Sequence, residues 1–116
     1  MQNIEIDVDE AGALTTIALA GELDLATCPQ VTEVTDAVQL CGRTLCIDLS
    51  GITFMGSTSL NMLLRLRMRA EAEGGALELA GLQHQAERVL VLTGARDLFR
   101  IRPRISAPAQ VTSLCD

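Results

Sequence analysis

The sequence has no lysine, no tryptophan and no tyrosine, and histidine occurs once. Aromatic residues amount to 2% of 116, namely Phe54 and Phe99. The core must therefore be built from Leu, Val, Ile, Ala and Met. Base-stacking platforms for single-stranded nucleic acid are absent. No apolar run approaches the roughly 18 residues of a membrane span, so no membrane insertion is expected. Met1 to Glu5 lack a basic stretch followed by an apolar one, so no secretory leader is expected. The four cysteines, Cys28, Cys41, Cys46 and Cys115, form no C-x-x-C pair. One histidine cannot complete the usual zinc patterns, so no metal and no cofactor is expected. Reduced thiols and a cytoplasmic location are the reading. Cys46 is expected in the core, with Cys28 and Cys115 more exposed.

What is present is apolar and acidic. Hydrophobic residues make up 48% of the chain, enough for one packed domain spanning 1–116. The net charge is −6. Residues 1–50 hold nine acids and one arginine, and residues 51–116 hold six acids and eight arginines. An acidic first half argues against direct nucleic-acid binding. Two protein-facing surfaces of opposite sign fit better.

Periodicity orders the elements. Asn3 to Val8 alternate polar and apolar, which predicts a half-buried strand. Leu14 to Ala20 form a second strand, ended by Gly21, and the two read as a hairpin. Thr27 is placed to cap a helix with Pro29 in its first turn and apolar residues at 31, 34, 37, 38 and 41, closed by Gly42. Thr44 to Leu49 read as a central strand buried on both faces. Gly51 to Gly56 read as a loop. A helix starts at Ser57 and stops at Gly74-Gly75. Ala76 to Leu79 form a strand, and His84 or Gln85 to Leu92 a third helix. Leu98 to Arg102 are strand or loop, and Pro108 to Leu114 a last short helix. The order predicts an α/β fold. Its mixed sheet has about four to five strands, with the opening hairpin at the edge and helices mainly on one face.

Catalytic patterns are weak. His84 has no acid nearby in sequence to orient it, so no enzyme is expected. Gly51 to Gly56 is G-x-x-x-x-G, but Ser57 stands where a phosphate loop needs lysine. A small enzyme or ligand-binding domain remains the rival from another class, and turnover lost on changing His84 would support it.

The informative stretch runs from Cys46 to Leu60. A strand leads into a helix N-terminus bearing Ser57, Thr58 and Ser59. Capping explains such hydroxyls, and a phosphorylation switch explains them also. Two stretches carry a family resemblance. One is Gly21-Glu22-Leu23-Asp24. The other is Asp48-Leu49-Ser50-Gly51-Ile52-Thr53-Phe54-Met55-Gly56-Ser57-Thr58-Ser59-Leu60. The second resembles the pattern D-L-S-x-V/L-x-F/Y-M/I/L-D-S-S/T-G-L of STAS domains of the bacterial anti-sigma factor antagonist type. A weaker match runs from Leu82 through Leu92-Thr93-Gly94 to Leu98-Phe99.

The resemblance implies a STAS-like fold and partner switching. The partner is an anti-sigma factor that is itself a serine kinase, and the antagonist has no catalysis of its own. Binding that partner releases a sigma factor. The phosphoacceptor carries over to Ser57. Glu22, Asp24, Met55, Gly56, Ser57, Thr58 and Ser59 are expected to face the partner. Gly56 stands where the family has Asp, removing a carboxylate that caps the helix or meets the kinase. Ser59 stands where the family has Gly, adding a side chain where a partner approaches.

On the helix after Ser57, Leu60, Leu63 and Ala70 are expected toward the sheet. Arg65 and Arg69 gather with Met62 on the far side, a candidate contact face. Leu66 falls at the border, and Arg67 is expected to snorkel. The alternative is a scaffold or accessory STAS subunit, stressosome-like or transporter-associated, that is unphosphorylated or redox-controlled. A homodimer stays open.

Overall fold

The computed structural model describes residues 4–102. Five strands form one sheet in the order β1-β2-β3-β4-β5. They are β1 (Ile4–Ala11), β2 (Leu14–Leu23), β3 (Thr44–Met55), β4 (Ala76–Ala80) and β5 (Arg100–Ile101). The helices are α1 (Cys28–Asp36), α2 (Ser57–Ala72) and α3 (His84–Leu92), with a single 3-10 turn at Arg96–Leu98. The β1–β2 pair is antiparallel and the other three pairs are parallel. The mixed α/β sheet with its hairpin at one edge is thus as the periodicity predicts. The final helix expected at Pro108 to Leu114, and Cys115, lie outside the described residues.

Alternation decides which face is covered. Ile17, Leu19, Leu45, Ile47, Leu49, Leu77 and Leu79 point to one side and are buried there. They pack with Val31 of α1, Leu60, Leu63, Leu66 and Ala70 of α2, and Ala86 and Leu90 of α3 in one core. Each fully buried aliphatic side chain contributes about 1.5–3 kcal/mol. β3 is only partly covered on its other face, where Cys46 is buried, Asp48 half-buried and Ser50 exposed.

β1 runs on to Ala11, past the expected Val8, and three further boundaries differ from expectation. First, Gly51 to Met55 are strand rather than loop. β3 absorbs extra residues at register shifts opposite Ala18/Ala20 and Gly21/Glu22, so pairing with β2 continues to Met55. Bulges of this kind keep a strand paired while bending it. At Gly51 a Cβ would come 2.8 Å from Ala20 Cβ and from Leu19 O, so this close approach needs glycine. Second, and for the same reason, β2 does not end at Gly21 but runs to Leu23.

Third, α1 stops at Asp36 rather than near Gly42. The Arg69 guanidinium donates to Thr35 O and Val38 O, each at 2.8 Å, and so takes carbonyls at the helix end. Val38 and Leu40 then turn inward and are buried.

A candidate partner-binding site at the end of strands β2 and β3

Two segments far apart in sequence meet at one end of the sheet. Pairing sets Glu22 beside Phe54 and Leu23 beside Met55. The Gly56 N–H donates to Leu23 O at 2.9 Å, closing the ladder as β3 turns into α2. Sheet register therefore brings the Gly21–Asp24 stretch against the Ser57 stretch.

Asp24 organises the entry to α1. Its Oδ1 accepts the N–H groups of Ala26 (3.0 Å) and Thr27 (3.2 Å). The Asp24 N–H donates to Thr27 Oγ1 at 3.0 Å, and that hydroxyl donates to Glu22 O at 2.7 Å. This is the reciprocal arrangement of a capping box. The cap expected of Thr27 on α1 is thus not made, and Asp24 caps the turn that leads into the helix. Thr27 precedes α1 with no side-chain cap bond of its own and is fully buried.

At the facing terminus, Gly56 is the N-cap of α2, in extended conformation with φ −91° and ψ 173°. A Cβ there would meet Phe54 Cε2 at 3.5 Å, Leu23 O at 3.8 Å and Asp24 Cβ at 3.9 Å. Those are ordinary contacts, so a side chain fits. None of the three hydroxyls caps the helix. Ser57 is exposed, and Thr58 is half-buried. The first turn of α2 holds no acid, so its positive end is not neutralised from within.

Two residues expected at the partner are turned inward. Met55 and Ser59 are fully buried. The Ser59 hydroxyl donates to Gly56 O, so it fixes the helix start instead of projecting into the space where a partner would approach. Glu22 is exposed and Asp24 and Gly56 are half-exposed beside Ser57. Leu25 and Phe54, at 73% and 45% exposure, add apolar surface nearby.

The contact face expected on α2 divides. Arg65 is exposed, but Met62 is half-buried against the core, and the exposed methionine is Met68. Arg69 is held by Thr35 O and Val38 O, and by Glu73 at 2.9 Å. It is a brace between α2 and α1. Leu66 is buried, and Arg67 leans out to Glu71 at 3.2 Å. Between α1 and α2 runs a groove of about 740 Å³, lined by Leu25, Pro29, Thr58, Met62 and Arg65 among others.

Two glutamines that hold this end of β3 are not legible in the sequence. Gln85 of α3 receives the Met55 N–H on its Oε1 at 2.8 Å and donates through Nε2 to Met55 O at 3.2 Å. It fixes the residue two before Ser57. Gln83 acts similarly on Ser50 O at 2.5 Å. A glutamine in the first turn of a helix carries no local signal that it points inward.

The cysteines are free thiols among the described residues. Cys28 is buried where exposure was expected, because the first position of α1 sets it in the core cluster. Burial, and secondarily Asp24, pushes its thiol pKa up. Burial also raises that of Cys46, partly offset by Arg102. Among the described residues no group of three or more His, Cys, Asp or Glu could hold a metal ion. No helix there is long and apolar enough to cross a membrane.

The profile of the family described as "Mlab, STAS domain" matches residues 6–102. The chain belongs to the STAS family. Among curated relatives, the anti-sigma-B factor antagonist of Bacillus subtilis (strain 168) is 27% identical over 108 residues, covering 93% of this chain and 99% of the relative. That of Listeria monocytogenes serovar 1/2a is 31% identical over 102 residues, covering 86% and 90%. The crystal structure of an anti-sigma factor antagonist from Mycobacterium paratuberculosis superimposes with a TM-score of 0.78 at 25% identity, covering 89% and 88%. In this STAS domain the Ser57 stretch lies where β3 passes into α2.

Proposed function

We propose that this STAS domain is an anti-sigma factor antagonist that acts by partner switching. One observation carries the reading. β2–β3 pairing presents an exposed Ser57 at the first position of α2, flanked by Glu22 and Asp24. The curated relatives named as anti-sigma-B factor antagonists support the same assignment. In this reading the unmodified surface binds an anti-sigma factor in the bacterial cytoplasm, and a sigma factor is released. Glu22, Asp24, Leu25, Phe54, Ser57, Thr58 and Arg65 form the contact. Met55, Ser59 and Arg69 shape it from behind. The domain itself performs no catalysis.

The partner is a serine kinase, and Ser57 is its acceptor. A phosphate brings roughly −1.5 to −2 charges. At the N-terminus of α2 it meets free N–H groups and the positive end of the dipole. The fold is therefore left intact. Release follows from the new charge standing beside Glu22 and Asp24, and against an acidic or closely fitted partner surface.

The test is intact-mass spectrometry after incubation with the purified anti-sigma factor and ATP. The wild type gains one phosphate and Ser57→Ala gains none. Phosphate on both proteins would move the acceptor elsewhere. No phosphate with a stable complex would leave antagonism without this control. Neither phosphate nor complex would overturn the reading.

A further inference from the structure

β1 is the outer strand on one side of the sheet and pairs only with β2. Its far side therefore presents backbone N–H and C=O groups without a strand partner among the described residues. At eight residues it is long enough to template another strand.

Its side chains alternate strictly from Ile4 to Asp9. Ile4, Ile6 and Val8 stand opposite Gly21, Leu19 and Ile17, on the helix-covered face. Ile4 and Ile6 pack against the core, while Val8 is 48% exposed. Glu5, Asp7 and Asp9 stand opposite Ala20, Ala18 and Thr16 on the other face, and all three are exposed. None has an ion-pair partner among the described residues. Alternate positions lie about 7 Å apart along a strand, so the three carboxylates repel one another. The small neighbours on β2 supply neither cover nor countercharge.

A second copy is a poor occupant. Antiparallel β1–β1 pairing sets carboxylate against carboxylate across the seam, which is unfavourable. β5 carries Arg100 at the opposite sheet edge but is only two residues long.

We propose that β1 is the docking edge for an extended basic segment of a partner protein. That segment carries Arg or Lys at every second position and branched apolar residues between. Added as a sixth strand, it places its cations against Glu5, Asp7 and Asp9 and its apolar residues against Val8 and Ile6. Main-chain bonds hold it, and the alternation sets its register. β2 lies between Ser57 and the Glu5, Asp7 and Asp9 row.

The probe is a capped heptapeptide of alternating arginine and valine, titrated into the full chain. Its control has the same composition, with the arginines in one block and the valines in another. The alternating peptide binds about tenfold more tightly than the block peptide, and its affinity falls steeply with added salt. Amides of β1 not bonded to β2 become slow to exchange. Asp7→Arg and Glu5→Arg each weaken binding by about tenfold. Both positions are exposed, and a thermal melt of each variant verifies folding, so either can carry the test. Equal binding of the two peptides, no saturable binding, or binding unchanged in both variants overturns the proposal. So does protection of β1 through self-association without peptide.

Discussion

The side-chain amide of Gln85 grips both the N–H and the carbonyl of Met55, at 2.8 Å and 3.2 Å. The two residues lie 30 positions apart, one on α3 and the other at the last position of β3. A candidate phosphoacceptor two residues further on is thereby held by a helix that sequence alone does not connect with it. Gln85→Leu leaves a half-buried backbone pair unmatched. About 1–3 kcal/mol of stability should be lost. For a domain of this size each kcal/mol moves the melting temperature by roughly 4–8 °C. Thermal unfolding reads this directly, and phosphorylation of Ser57 should slow in parallel.

Arg69 braces two helices, so its removal should act on stability before binding. Arg69→Met frees Thr35 O and Val38 O together with the Glu73 contact. Hydrogen bonds to a charged group contribute about 1.5–3 kcal/mol, and one loss of that order is expected here. Arg69→Lys should recover only part, because an ammonium cannot span both carbonyls as the planar fork does. Arg65→Ala should leave the melt nearly unchanged and weaken partner binding instead. Calorimetric melts paired with binding titrations separate the two arginines.

Gly56→Asp should stabilise the protein. The position has extended backbone and room for a side chain. A carboxylate there can accept N–H groups at the start of α2, and replacing glycine restrains the unfolded chain. Together these are worth about 0.5–1 kcal/mol. A melt shows the gain, and faster phosphorylation would show that the kinase reads the carboxylate as well.

Thiol reactivity should rank by burial. In a Cys115→Ser background, Cys41 is exposed while Cys28 and Cys46 are buried. The raised pKa of the two buried thiols leaves less thiolate at any pH near or below their ordinary value of 9.0. One equivalent should react quickly with a disulfide reagent at mild alkaline pH, and two more only on unfolding. Fast reaction of all three would contradict the burial.

Much of this fold is legible in the chain. The β1–β2 hairpin, α2, β4 and α3 follow from period-2 and period-3.6 patterns between glycines. The motif around Ser57 names the family. What is not legible depends on distant partners. The carbonyls at and just past the end of α1 find their partner in Arg69, more than 30 residues away. β3 runs through Gly51 because bulges keep it paired with β2, and a bulge has no clear sequence mark. Met55 and Ser59 adjoin Ser57 in sequence but do not share its surface. The bulged register of β3 turns Met55 inward, and the first turn of α2 turns Ser59 inward.

The most direct measurement is the affinity of the purified anti-sigma factor for wild type and Ser57→Asp, with thermal melts of both. The account predicts at least about tenfold weaker binding for Ser57→Asp. Its melt should be unchanged or raised, since an acid at the start of α2 meets the dipole favourably by about 0.3–1 kcal/mol. Equal affinity for the two proteins would contradict control by charge at Ser57, and weaker binding with a lowered melt would mean that the helix, not the interface, had failed.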